Sequence, residues 1–150
     1  MAMNTKPITF DTLQIGDELP SFEIGETQET INGARLIVDD THEIPRNIHT
    51  DPEFAKEGLF AGTVNAGVTT MAYVNTMLEQ WFPASNFYDG GGLVFKAIDP
   101  FRPGDTVTFT GKIADKREEG GKKIVDCKIE GYNQLGKIMG VAEATLVLQD

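Results

Sequence analysis

Val68-Thr69-Thr70-Met71-Ala72-Tyr73-Val74-Asn75-Thr76-Met77-Leu78-Glu79-Gln80-Trp81 is the longest helical pattern in this chain. Val68, Met71, Val74, Met77, Leu78 and Trp81 recur there at steps of three and four. Ala72 and Tyr73 widen the apolar face, so the spacing predicts a helix buried on most sides, and Phe82-Pro83 ends it. Everything after it reads as strands. A short strand over residues 93–96 follows Gly90-Gly91-Gly92, and Pro103-Gly104-Asp105 makes a turn. Residues 106–114 alternate, with Val107, Phe109 and Ile113 on one side. Residues 118–121 form a hairpin loop, and two long strands over 123–132 and 137–148 are joined through Asn133-Gln134-Leu135-Gly136. One long helix against a mostly antiparallel sheet is an α+β arrangement in a single domain. One helix cannot cover every sheet edge, so a dimer joined edge to edge is the natural remedy.

Upstream, Gly62-Thr63-Val64-Asn65-Ala66-Gly67 is a glycine turn into the helix. Before it stands Arg46-Asn47-Ile48-His49-Thr50-Asp51-Pro52-Glu53-Phe54-Ala55: a histidine in a loop, then a capping residue, proline and acid that start a short helix from 52 to 57, ended by Gly58. Residues 27–40 carry a helical stripe of Ile31, Ala34, Leu36, Ile37 and Val38, with Thr30 or Asn32 as cap and Gly33 weakening it. Residues 21–26 read as a first strand, and residues 1–10 as a loose leader.

The chain has 150 residues, a net charge of −10 and a single cysteine, Cys127. No apolar run approaches a membrane span, no basic-then-apolar leader opens the chain, and one cysteine forms no internal disulfide. Those features predict a cytoplasmic protein with no membrane partner. Residues 1–90 carry 4 basic and 14 acidic side chains, and residues 91–150 carry 9 of each. So acidic a protein predicts no nucleic-acid partner, because phosphate attraction needs a basic face. A phosphorylated ligand would draw its cations mainly from the later segment.

Taken in order, Ile15-Gly16-Asp17, the Asn47-Ile48-His49-Thr50-Asp51-Pro52-Glu53-Phe54-Ala55 stretch, the glycine turn, Gly91-Gly92-Leu93-Val94-Phe95 and Arg102-Pro103-Gly104-Asp105-Thr106-Val107 resemble the MaoC-like acyl dehydratases, the (R)-specific enoyl-CoA hydratase branch of the hot-dog fold. The resemblance covers most of the chain. It implies a long central helix wrapped by a curved antiparallel β-sheet, a homodimer or higher oligomer, and an acyl thioester substrate on coenzyme A or a similar pantetheine arm, with no separate cofactor. The family motif has an aspartate five residues before the histidine; here that position is Ile44, and Arg46-Asn47 replaces Asn-Pro. Asp40 serves instead if the loop is longer, or Glu43 if the backbone shifts locally; the sequence leaves both open.

Histidine suits proton transfer near neutral pH, and the amide of a helix-opening glycine stabilises charge developing on a thioester oxygen. The resemblance therefore makes His49, Asp40, Glu43 and Asn47 the catalytic candidates, with Asn47 anchoring the loop or the water. Gly67, Asn65, Ala66, Gly91 and Phe95 are the substrate-binding candidates. Asp39, Asp40, His42, Glu43 and His49 match no standard metal spacing, so no metal is expected. The leading expectation is an acyl-CoA hydratase or dehydratase. Its alternatives are a hot-dog thioesterase and a non-catalytic acyl-CoA-binding subunit of a hetero-oligomeric hydratase, which Ile44 keeps open.

Overall fold

A computed structural model describes residues 7–33 and 46–149. Its elements are β1 (Phe22–Gly25), α1 (Gln28–Gly33), α2 (Pro52–Lys56), α3 (Gly67–Glu79), a 3-10 helix (Ala84–Phe87), β2 (Gly92–Ala97), β3 (Thr106–Glu119), β4 (Lys122–Tyr132) and β5 (Ile138–Leu148). All five strands form one antiparallel sheet in the order β1-β3-β4-β5-β2. The sheet curves around α3, the hot-dog arrangement that the family resemblance implied.

Alternation decides which strand residues reach the helix. Val107, Phe109 and Ile113 of β3, Val125, Cys127 and Ile129 of β4, and Ala142, Ala144 and Leu146 of β5 are buried against Val74, Met77 and Leu78 of α3. The β3–β4 connection is tighter than the loop expected from the sequence. β3 runs to Glu119, and Gly120 and Gly121 turn the chain alone with φ of 57° and 77°. Two positive φ values in succession match the right-handed strand twist, and glycine adopts them without a Cβ clash.

Three further expectations give way. The central helix is buried along one face only: Val74, Met77 and Leu78 point inward, whereas Val68 is 72% exposed and Met71 also faces out. Polar Thr70 takes an inward place instead, because it lies one turn before Val74. Thr27, not Thr30 or Asn32, caps α1: its Oγ1 accepts from Thr30 N at 3.1 Å, while Thr30 Oγ1 accepts from Thr27 N at 2.9 Å. That reciprocal pair meets two of the amides a helix start leaves open. The loose leader expected over residues 1–10 fails at Phe10, which is 7% exposed, packs in the core and lies under Lys116 Nζ at 4.3 Å; residues 1–6, like residues 34–40 of the helix expected over 27–40, lie outside the described residues. Among the described residues, no helix is long and apolar enough to cross a membrane.

Candidate active site

The loop before α2 is shaped by one asparagine. Asn47 Oδ1 accepts from His49 N at 2.8 Å, Thr50 N at 3.1 Å and Thr50 Oγ1 at 3.1 Å. This turn built on a side chain fixes where His49 leaves the backbone. Asn47, one of the catalytic candidates, anchors this loop through those bonds. Asp51 then caps α2, accepting from Phe54 N at 3.0 Å with Pro52 in the first turn. The Phe54 amide, followed by the Arg46 guanidinium, holds its carboxyl below the usual carboxylate range.

Two contacts tie the loop to the approach to α3. Val64 N donates to Ile48 O at 3.2 Å, and His49 Nδ1 lies 2.7 Å from Val64 O. A carbonyl oxygen only accepts, so Nδ1 carries the hydrogen and the neutral ring leaves Nε2 unprotonated. Gln28 adds a brace that sequence reasoning missed. Its Nε2 donates to His49 O at 2.7 Å, and its Oε1 accepts from Thr63 Oγ1 at 2.6 Å. One α1 side chain thus holds the histidine loop and the segment before α3 together.

His49 lines a cleft of about 380 Å³ with Asn65, Gly67 and Thr70, closed on its apolar side by Phe60, Ile98 and Phe101. Gly67 opens α3, so its N–H has no acceptor within the helix; Thr69 N and Thr70 N already turn to Ala66 O. A Cβ built on Gly67 meets none of the described atoms within 4 Å, which leaves room before that amide. Thr70 Oγ1 donates to Gly67 O at 2.9 Å and pins the first turn.

Asn65 lines the cleft but commits its side chain to the fold. Its Nδ2 donates to Glu26 Oε1 at 2.6 Å and to Tyr73 Oη at 3.1 Å, and its Oδ1 accepts from Ala66 N at 2.8 Å. The backbone amide of Ala66, one of the substrate-binding candidates, is thereby engaged within the fold. Burial first, then the neighbouring Glu26 carboxylate, pushes the Tyr73 hydroxyl up to about 12. Gly91 and Phe95 do not line the cleft. Gly91 packs where a Cβ would meet Phe87 Cα at 2.6 Å, and the Phe95 ring covers Gly140.

Asp40 and Glu43 lie outside the described residues. Among the residues described, Asp99 is the carboxylate that lines the cleft, ion-paired to Lys137. Neither Asp99 nor the Gln28 brace carries a motif by which the sequence alone could have shown it. The basic side chains of the later segment are largely engaged within the fold. Lys116 donates to Phe10 O and Leu13 O, Arg117 pairs with Asp115, Glu119 and Asp126, and Arg102 donates to Phe60 O.

Residues 45–131 match the family model of the MaoC-like domain. No curated protein matches the sequence. The R-hydratase PhaJ1 from Pseudomonas aeruginosa, in its unliganded form, aligns with a TM-score of 0.74 at 16% identity, over 95% of this chain and 86% of that one. A MaoC-like dehydratase from Rhodospirillum rubrum aligns with a TM-score of 0.72 at 23% identity, over 92% and 94%. A chain of the ChsH1-ChsH2 complex from Mycobacterium tuberculosis aligns with a TM-score of 0.71 at 20% identity, over 91% and 98%.

Proposed function

This chain belongs to the MaoC-like domain family, and from that premise we propose that it adds water to, or removes it from, an enoyl or 3-hydroxyacyl thioester. One observation carries the reading: the Nδ1 hydrogen bond to Val64 O leaves His49 Nε2 as the basic nitrogen, and the ring shares its cleft with the open Gly67 amide. In the hydration direction, the thioester oxygen accepts from Gly67 N–H, which draws electron density away from C3. Water bonds to C3 as His49 Nε2 takes its proton, and the electron pair moves onto the thioester oxygen. The resulting enolate collapses as C2 receives a proton, returned by His49 or by a carboxylate working with it. Asp40 and Glu43 remain the proposed carboxylates, and Asp99 joins them by its place in the cleft. The substrate arm is coenzyme A or another pantetheine carrier, and the apolar walls suit an acyl chain.

A second reading rests on Ile44, which stands where the family motif has aspartate: a subunit that binds the thioester and leaves catalysis to a partner. Either reading suits a second hot-dog subunit pairing along β2. That strand is bonded to β5 on one side, no described strand covers the other, and Val94 is 73% exposed. The test is hydration of crotonyl-CoA by the purified chain and its His49→Ala variant, followed by loss of enoyl absorbance. A hydratase loses roughly 10²–10⁴-fold in rate with the histidine. Equal rates in both proteins sink the mechanism. Release of free thiol without hydration marks a thioesterase, and thioester binding without turnover, restored by a second co-purifying chain, marks the subunit reading.

A further inference from the structure

Among the described residues, Glu26 is a carboxylate with no cation beside it. It is 2% exposed, and its ring of partners is made of neutral donors. Oε1 accepts from Asn65 Nδ2 at 2.6 Å, Oε2 accepts from Thr30 Oγ1 at 2.5 Å, and the Tyr73 hydroxyl bonds to the same group. Its backbone is clamped as well: Glu26 N donates to Asp105 O at 2.7 Å, and Glu26 O accepts from Gly104 N at 2.9 Å. A buried acid this well supplied is a fixed point, because losing any donor would leave charge uncompensated.

Its consequence runs through Asn65. An asparagine amide can face either way, but a carboxylate accepts only, so Glu26 draws the NH2 end toward itself. The carbonyl end is thereby turned to Ala66 N–H, which it engages at 2.8 Å. With Ala66 N–H closed, Gly67 N–H is the first open amide of α3, and the latch fixes the peptide that aims it. We propose that Glu26 is a positioning residue: it orients Asn65, which holds the Ala66 amide and so directs the Gly67 amide at the reacting oxygen. Glu26 does not line the cleft, so its effect on the site would pass through Asn65. This inference rests on the hydratase reading, and the test separates the two.

Four variants of the full chain are compared: Glu26→Ala, Glu26→Gln, Asn65→Ala and the Glu26→Ala/Asn65→Ala double. Glutamine keeps an acceptor for Asn65 Nδ2, and the Thr30 hydroxyl can reverse to accept from its amide, so Glu26→Gln should rescue what alanine loses. With crotonyl-CoA, Glu26→Ala and Asn65→Ala should each lower kcat about tenfold or more while KM stays within about threefold, because the misaimed bond matters most in the transition state. The double variant should fall no further than the worse single, as expected of two residues acting on one amide. Without substrate, amide exchange followed by NMR should show Ala66 N–H exchanging about tenfold faster in both alanine variants and near wild type in Glu26→Gln.

Equal damage from alanine and glutamine, or an Ala66 amide as protected in Asn65→Ala as in wild type, overturns the proposal. If Glu26→Ala does not fold, the contrast between Glu26→Gln and Asn65→Ala decides it in the same way. Should the wild type hydrate no enoyl thioester, the hydratase reading falls and the exchange measurement still decides the latch.

Discussion

Gly67→Pro isolates the amide on which the proposed chemistry leans. Proline lacks a backbone N–H and is accepted at the first position of a helix, where that N–H has no intrahelical partner. The site meets both of its conformational demands. Gly67 is the first residue of α3, and Ala66 before it has φ −72° and ψ 141°, in the extended region that a residue preceding proline adopts. None of the described atoms lies within 4 Å of a Cβ at this position. Folding should therefore survive, with stability unchanged or raised by about 0.4–1 kcal/mol through a less flexible unfolded chain. Turnover should not survive. Losing one preorganised donor to a developing oxyanion costs about 2.7–4 kcal/mol of transition-state stabilisation, roughly 10²–10³ in kcat. The assay pairs thermal unfolding with crotonyl-CoA hydration, and Gly67→Ala serves as control because it adds a methyl group but keeps the amide. A folded Gly67→Pro enzyme whose kcat is within a few-fold of Gly67→Ala would refute the assignment of that N–H.

Other consequences can be checked with simpler measurements. Burial first, and then the Asp126 charge, pushes the Cys127 thiol up to about 12, so at neutral pH an alkylating reagent should label it only after denaturant unfolds the chain; rapid labelling of native protein would contradict its place in the core. The folded Asp51 carboxyl titrates below its ordinary value of 3.8, so its stabilising effect is complete above that value and fades as pH falls through the lower folded one. The pH–stability curve of Asp51→Asn should accordingly lie below wild type at neutral pH and converge with it in acid, and parallel curves would argue against that linkage. Leu78 is 1% exposed beneath the sheet, and Leu78→Ala should cost about 2–5 kcal/mol in a denaturant titration; a loss under about 1 kcal/mol would mean that the helix face is misassigned.

Periodicity carried the elements further than it carried their surroundings. The strands over β3, β4 and β5 and the helix α3 are legible because alternation and three-four spacing are local properties of the chain. The burial of α3 was overestimated because periodicity says which residues share a face and nothing about how far a five-stranded sheet reaches around it. Val68 and Met71 sit at the same spacing as Val74 and Met77 and yet face out. The site divided in the same way. His49, Asn47 and Gly67 occupy a short stretch with recognisable turn and helix-start chemistry, and the structure brings His49 and Gly67 to one cleft. Glu26, Gln28 and Tyr73 were not legible, because their meaning lies in bonds to Asn65 and His49 across distant parts of the sequence.

The segment from Val64 to Gly67 joins the two halves of the proposed chemistry. Val64 O receives the His49 ring, and three residues later the chain presents the Gly67 amide. Three residues of extended backbone span at most about 11 Å, so the base and the oxyanion donor are spaced by one short piece of chain and not by the packing of separate domains. That piece is fixed at each step: Val64 N to Ile48 O, Asn65 N to Phe101 O at 2.8 Å, and Ala66 N to Asn65 Oδ1. A substitution that shifts this backbone must move the imidazole and the amide together. Variants of Thr63 or Gln28, which hold the segment from outside the cleft, should then lower kcat less than His49→Ala, which removes the base itself; a Gln28→Ala enzyme as slow as His49→Ala would argue against that division.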